Sequence, residues 1–345
     1  MRAIMPWDEV KARLGNGLRH AAGQPFTPVA VTPRTAVWRR GRTTLYRYDT
    51  GAHGPPVLVV HSLVTRSHVF DLYPGSSLVE DLSAAGHAVY LLDWGVPGAA
   101  EAVHTIEHYV DRLIPTAVRA VLRDSGAESL SLLGYCLGSV FASLAVAGNA
   151  EIPADALVML APPVDFRPLG LFRTLLARGR LEPDDVIDET GNVPARALVS
   201  SFRMSQPTTD ITIAANYWQH LPDSRVLGAQ LAVLGWSGDH IPFPGAVFRQ
   251  LVDLFLHRTT LLEGVVPLAG GDVHLSTLPC PVLCVTGSRD VLVPAESSAP
   301  LELALGPAVR VTRLQVDAGH AGLFVGRTAR RHAVPAIVDW LREAS

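Results

Sequence analysis

The chain has 345 residues, 48% of them hydrophobic and 18% charged, with a formal net charge of −3. That is ample material for a sizeable core, and the length predicts one large domain with an insertion, or two domains. The balance excludes the basic surface that nucleic acid requires, and the single lysine, Lys11, argues against Schiff-base chemistry.

Met1 to Leu18 holds acidic residues and no continuous apolar run, so it does not read as a signal peptide, and no stretch approaches a membrane span. With 3 cysteines and no secretory signal, free thiols in a reducing cytoplasm are expected. Trp7, Val10, Leu14 and Leu18 recur at helical spacing, predicting a surface helix within Met1 to Ala22. Thr35 to Arg39 and Thr43 to Tyr48 alternate like an antiparallel hairpin. Val57 to Val60 is a short apolar run of the kind found in central parallel strands. A helix from Ser76 to Ala85, a strand from Ala88 to Leu92, a helix from Ile106 to Leu122 and a strand from Ser129 to Leu133 follow. A helix at Val140 to Ala147 and a strand at Ala156 to Leu160 complete a β-α alternation that predicts a doubly wound, mostly parallel sheet.

After Pro163 the pattern changes to helical signals, prolines and aromatic patches around Phe202, Trp218, Trp236 and Phe255, with no good buried strand to about Asp272. Strands resume at Val282 to Thr286 and Val309 to Val316, before a last helix from Thr328 to Glu343. The reading is a core of residues 1–163 and 273–345, with 164–272 as a mainly helical cap inserted before the last two strands.

The chemistry centres on Gly134-Tyr135-Cys136-Leu137-Gly138, which has the G-x-[Ser/Cys]-x-G spacing of a nucleophile elbow. Such a turn strains the nucleophile's backbone, and its glycines let strand and helix approach closely. It leaves Cys136 at the head of a helix, where free N–H groups and the macrodipole favour a thiolate. Asp290 lies beyond the strand Val282 to Thr286, and His320 beyond Val309 to Val316. The order Cys, Asp, His is that of the α/β-hydrolase fold, in which His320 would activate the thiol and Asp290 would fix its tautomer. Backbone N–H groups of Leu137 and Val64 are the expected oxyanion donors.

Other chemistry-bearing residues have plainer readings beside the functional ones. A lone elbow pattern is often a tight turn around a buried thiol, and only the register of Asp290 and His320 lifts it above that. Cys280 and Cys284 read as core thiols rather than metal ligands, since no second pair or His cluster accompanies them. His61 and His68 lie near the oxyanion loop, and Trp218 and Trp236 lie in the cap; all four are candidate substrate contacts, with a structural role as the plainer reading. Asp239 and His240 stand side by side in the cap and could face the pocket.

Several separated motifs resemble class III polyhydroxyalkanoate synthases, from about Pro55 to Leu341. They are H-S-L-V-T-R-S-H-V-F-D-L from His61, V-Y-L-L-D-W-G-V-P from Val89, G-Y-C-L-G, and P-P-V-D-F from Pro162. D-E-T-G-N-V-P, W-S-G-D and F-R-Q-L follow in the cap, then P-V-L-C-V-T-G-S-R-D-V-L-V-P and A-G-H-A-G-L-F-V-G. The resemblance implies Cys136 as acyl-carrying nucleophile with Asp290 and His320, coenzyme A thioesters of 3-hydroxy acids as substrates, and no metal or cofactor. It also implies a homodimer and a second synthase subunit. The chain departs from that family at Ser139, where a second glycine is usual, at Val291 for His, and at Thr65 for Asn. Two readings stay open beside acyl transfer: a diverged hydrolase-fold enzyme acting on a polyketide-like or aromatic substrate, and a silent binding scaffold.

Overall fold

The computed structural model describes residues 7–169, 182–205 and 217–344, with backbone alone for 202–205. Eight strands form one sheet: β1 (Arg34–Arg40), β2 (Thr43–Tyr48), β3 (Gly54–Val60), β4 (His87–Asp93), β5 (Leu130–Tyr135), β6 (Ala154–Leu160), β7 (Val282–Gly287) and β8 (Val311–Val316). Their spatial order is β1-β2-β4-β3-β5-β6-β7-β8. Only the β1–β2 and β2–β4 pairings are antiparallel; β4 through β8 run parallel.

The central strands are apolar along their length because helices cover both faces. Val57, Leu58, Val59 and Val60 of β3 are all fully buried, as are Leu132 and Leu133 of β5. The edge strand β8, by contrast, keeps Thr312, Arg313 and Gln315 in solvent. Among the flanking helices, α1 (Trp7–Ala21) buries no residue, α2 (Leu78–Ala84) is N-capped by the Ser77 hydroxyl, and α3 (Ile114–Ser125) ends at Gly126 with φ 73°. Helix α4 (Leu137–Gly148) is buried from Leu137 to Val146 and begins directly after Cys136, three residues before the helix expected from sequence.

Two helices predicted as uniform are not. Residues His108–Leu113 and Ala329–Ala333 are wound as π-helix, and each leads into an α-helix whose second residue is a proline, Pro115 or Pro335. Proline offers no N–H to the carbonyl four residues back, so the preceding turn widens where that bond is missing.

The segment between β6 and β7, read from sequence as a cap, includes α5 (Ser224–Gly238), N-capped by Asp223. Short strands do occur in this segment: Asn192–Val193 pairs with Phe243–Pro244, and Val265–Leu268 pairs with Gly271–His274. The second hairpin straddles position 272, where sequence alone ends the cap. Its four-residue strands, interrupted by Pro267 and joined by an Ala269-Gly270 turn, give no buried-strand pattern to read.

Candidate active site

Cys136 follows the last residue of β5 and precedes the first of α4, with φ 53° and ψ −125°. Its N–H donates to Leu160 O at 2.8 Å, tying the turn to β6. The two flanking glycines are there for space. A Cβ on Gly134 would stand 2.4 Å from Ser139 Cα, and one on Gly138 would stand 2.2 Å from Val60 O. Both separations are shorter than any real contact, so β3, β5 and α4 can meet only if these residues lack side chains. Ser139, the departure from a second glycine, is fully buried, and its Oγ donates to Leu160 O at 3.3 Å, the carbonyl that also receives Cys136 N–H.

Asp290 sits in the turn after β7. One oxygen accepts from Leu292 N at 3.0 Å and Val293 N at 2.9 Å; the other accepts from His320 Nδ1 at 2.6 Å. The two loops are stitched by backbone bonds from Ser288 N to Val316 O (2.9 Å) and Arg289 N to Ala318 O (3.1 Å), which fixes the Asp290–His320 separation. The His320 side chain is 12% exposed and that of Asp290 is fully buried. Burial lowers the basicity of His320, but the Asp290 carboxylate and, after it, the nearby Cys136 side chain outweigh this and raise its pKa to about 10. Cys280 and Cys284 are the opposite case: burial pushes both thiols up to about 12.

The candidate oxyanion donors are the N–H groups of Leu137 and Val64. Leu137 is the first residue of α4, where an N–H has no intrahelical acceptor. Val64 lies in the loop after β3, and no described group accepts its N–H.

The four candidate substrate contacts separate. His61 is buried beneath the elbow, its carbonyl accepts from Trp94 Nε1 at 2.9 Å, and desolvation lowers its pKa to about 4. It is thus a neutral part of the scaffold. His68 is half-buried, and desolvation lowers its pKa as well. Trp236 is 7% exposed and donates through Nε1 to Arg66 O at 2.9 Å, so it faces the oxyanion loop. Trp218 is 62% exposed, with the Arg13 guanidinium 5.2 Å over its ring; no described contact brings it to Cys136. Of the departures from the resembled family, Val291 is half-exposed beside Asp290, whereas Thr65 is buried and bridged to His240.

Tyr135 is the residue sequence reasoning passed over. Its ring lies 4.8 Å from that of His320 and edge-on to Phe324 and Phe70, at 4.8 and 5.9 Å. Its hydroxyl is buried with no described partner. The one signal available was its place as the residue before the nucleophile, which a strand's alternation turns inward.

A parallel sheet in this strand order, with a strained cysteine after β5, an aspartate after β7 and a histidine after β8, defines an α/β-hydrolase-fold enzyme. The family model described as "alpha/beta hydrolase fold" matches residues 55–326. Within that fold the chain belongs to the polyhydroxyalkanoate synthase family. It is 30% identical over 97% of its length to the poly(3-hydroxyalkanoate) polymerase subunit PhaC of Thiocystis violacea, covering 95% of that protein. The subunits of the same name from Allochromatium vinosum (30% identity, 96% of this chain, 94% of that one) and Synechocystis (32%, 91% and 85%) agree. Solved structures share the fold at low identity. The monoacylglycerol lipase of Paleococcus ferrophilus has a TM-score of 0.52 at 19% identity, covering 88% of this chain and 100% of that one. The naproxen esterase of Bacillus subtilis has 0.53 at 15%, covering 98% and 100%. No helix among the described residues is long and apolar enough to cross a membrane.

Proposed function

We propose that Cys136, His320 and Asp290 form a catalytic triad that transfers 3-hydroxyacyl groups from coenzyme A thioesters and joins them through ester bonds. The observation that carries this is the Asp290–His320 pair at 2.6 Å beside a cysteine held on a strained elbow. In the first step the Cys136 sulfur attacks the thioester carbonyl, the oxyanion forms against the N–H groups of Val64 and Leu137, and the coenzyme A thiolate leaves with the proton held by His320. Thioester exchange is nearly balanced in energy, so the acyl-enzyme accumulates without a large step down.

The raised basicity of His320 fits both halves of the cycle. Before acylation, a protonated imidazole stabilises the Cys136 thiolate. Acylation removes that sulfur charge and passes the proton to the leaving thiol, so His320 is then free to take the hydroxyl proton of an incoming 3-hydroxyacyl group. That hydroxyl attacks the acyl carbonyl, an ester forms, and the Cys136 thiolate is regenerated. No metal or cofactor enters these steps. A coenzyme A substrate places the enzyme in the cytoplasm, and a second copy and a second synthase subunit are its proposed partners, testable by light scattering and co-purification.

The test is incubation with 3-hydroxybutyryl coenzyme A. Free coenzyme A, a mass increment on Cys136 and oligomeric ester are the expected products, and Cys136→Ala should give none of them. Wild-type enzyme that releases no coenzyme A and carries no acyl group would overturn the assignment. A single small product instead of oligomer in the same assay would mean transfer to one acceptor or to water.

A further inference from the structure

Four contacts join one short stretch of the cap to the loop after β3. Ile241 N–H donates to Val64 O at 3.2 Å, and Thr65 and His240 form an antiparallel bridge. Trp236 Nε1 donates to Arg66 O at 2.9 Å, and Arg66 Nε meets Asp239 Oδ2 at 3.0 Å. Trp236 is anchored at the end of α5, where Asp239 N–H closes the turn onto its carbonyl at 3.0 Å. On the other side of Val64, Leu63 is fully buried. The backbone of residue 64 is therefore held from both directions, by the core before it and by the cap after it.

We propose that Trp236–Ile241 is the positioning strap of the oxyanion loop, acting through the backbone of Val64, Thr65 and Arg66. The inference rests on the acyl-transfer reading given above and adds the residues that set its transition-state geometry. An N–H donor stabilises a developing oxyanion only if its direction is fixed beforehand, and a displacement of about 1 Å can cost a hundredfold in rate. Val64 carries the donor but its side chain plays no part in aiming it. The aim comes from what its carbonyl and those of its neighbours are bonded to, and here those partners lie in the cap. The Trp236 indole is the strongest hold, being buried. The Arg66–Asp239 pair is a lesser one, since its side chains are 44% and 46% exposed.

Two reactions of Cys136 separate this role from a structural one. Alkylation by iodoacetamide displaces iodide from a saturated carbon and generates no oxyanion, whereas acylation by 3-hydroxybutyryl coenzyme A does. Trp236→Phe keeps an aromatic ring, though a smaller one, and loses the indole N–H. It should slow acylation about tenfold or more, through kcat with little change in KM, and leave alkylation at the wild-type rate. Asp239→Asn, at an exposed position that endangers no folding, should give the same selective loss at about two- to threefold. Wild-type ratios of acylation to alkylation in both variants would overturn the proposal, and so would acylation and alkylation falling in step. If wild-type Cys136 is alkylated but never acylated, the acyl-transfer reading itself fails, an outcome distinct from either of these.

Discussion

At residue 136 an L-amino acid occupies φ 53° and ψ −125°, a region that glycine enters freely and other residues enter at about 1–3 kcal/mol. In the proposed mechanism this strain presents the thiol at the head of α4, and a mutant can measure it. Cys136→Gly should be more stable than Cys136→Ala by about 1 kcal/mol in urea unfolding, although neither should transfer acyl groups; equal stabilities would show the turn unstrained. The thiols should also divide by environment. Iodoacetamide at neutral pH should label Cys136 well before Cys280 and Cys284, which burial holds at about 12, with peptide mass spectrometry as the readout. Equal labelling of all three would contradict an activated thiol at position 136. Cys136, Asp290 and His320 were legible in the sequence because each follows a strand whose pattern is strong. Tyr135 was not, since an apolar strand position gives no hint of which ring it will meet.

Elements bring Asp290 and His320 to within bonding distance, and two features of the packing around the site predict measurable effects. Strand β3 and helix α4 cross at Gly138, where an added Cβ would lie 2.2 Å from Val60 O. Gly138→Ala should therefore force the elbow from its place, costing at least about 1–3 kcal/mol of stability and most of the selective labelling of Cys136. The loops after β7 and β8 hold the Asp290–His320 pair, whose histidine has its pKa raised to about 10 from an ordinary 6.5. A histidine raised in the folded state binds its proton more tightly there than in the unfolded chain. The stability it contributes is then complete below about pH 6.5 and is lost as pH rises through about 10. Asp290→Asn removes the main source of that shift, so its destabilisation relative to wild type should be largest near pH 6 and shrink towards pH 10. Thermal unfolding across that range checks the slope, and a constant difference would refute the linkage. Of the strands behind these loops, β7 was visible as an apolar run and β8 as an alternation of apolar and polar residues. The π-helical turns before Pro115 and Pro335 were not, because a missing N–H can be met by a kink, a break or a widened turn, and packing chooses among them.

On the scale of the molecule, the sheet with its cap dominates and α1 is an appendage. Helix α1 buries no side chain, leaves Trp7, Leu14 and Leu18 between 62% and 71% exposed, and reaches the cap through bonds from Arg13 to Trp218 O and from Asn16 to Leu221 O. Removal of residues 1–21 should accordingly lower Tm by no more than about 2 °C in calorimetry. A larger loss would mean that this helix is part of the cooperative unit.

The sequence by itself determined the parallel sheet, and it named the candidate nucleophile, acid and base and the place of a candidate insertion. Each of these is a local pattern: glycines two residues either side of a cysteine, apolar runs that only doubly covered strands can afford, and polar residues just past their ends. Only the tertiary structure decided how these pieces meet. It set Tyr135 under His320, turned Trp218 to solvent, and joined Trp236 to Arg66 across 170 positions of chain. The physical reason is the range of the forces involved. Strand and turn propensities act over a few neighbouring residues, whereas the docking of a cap on a loop depends on surfaces that exist only once both have folded.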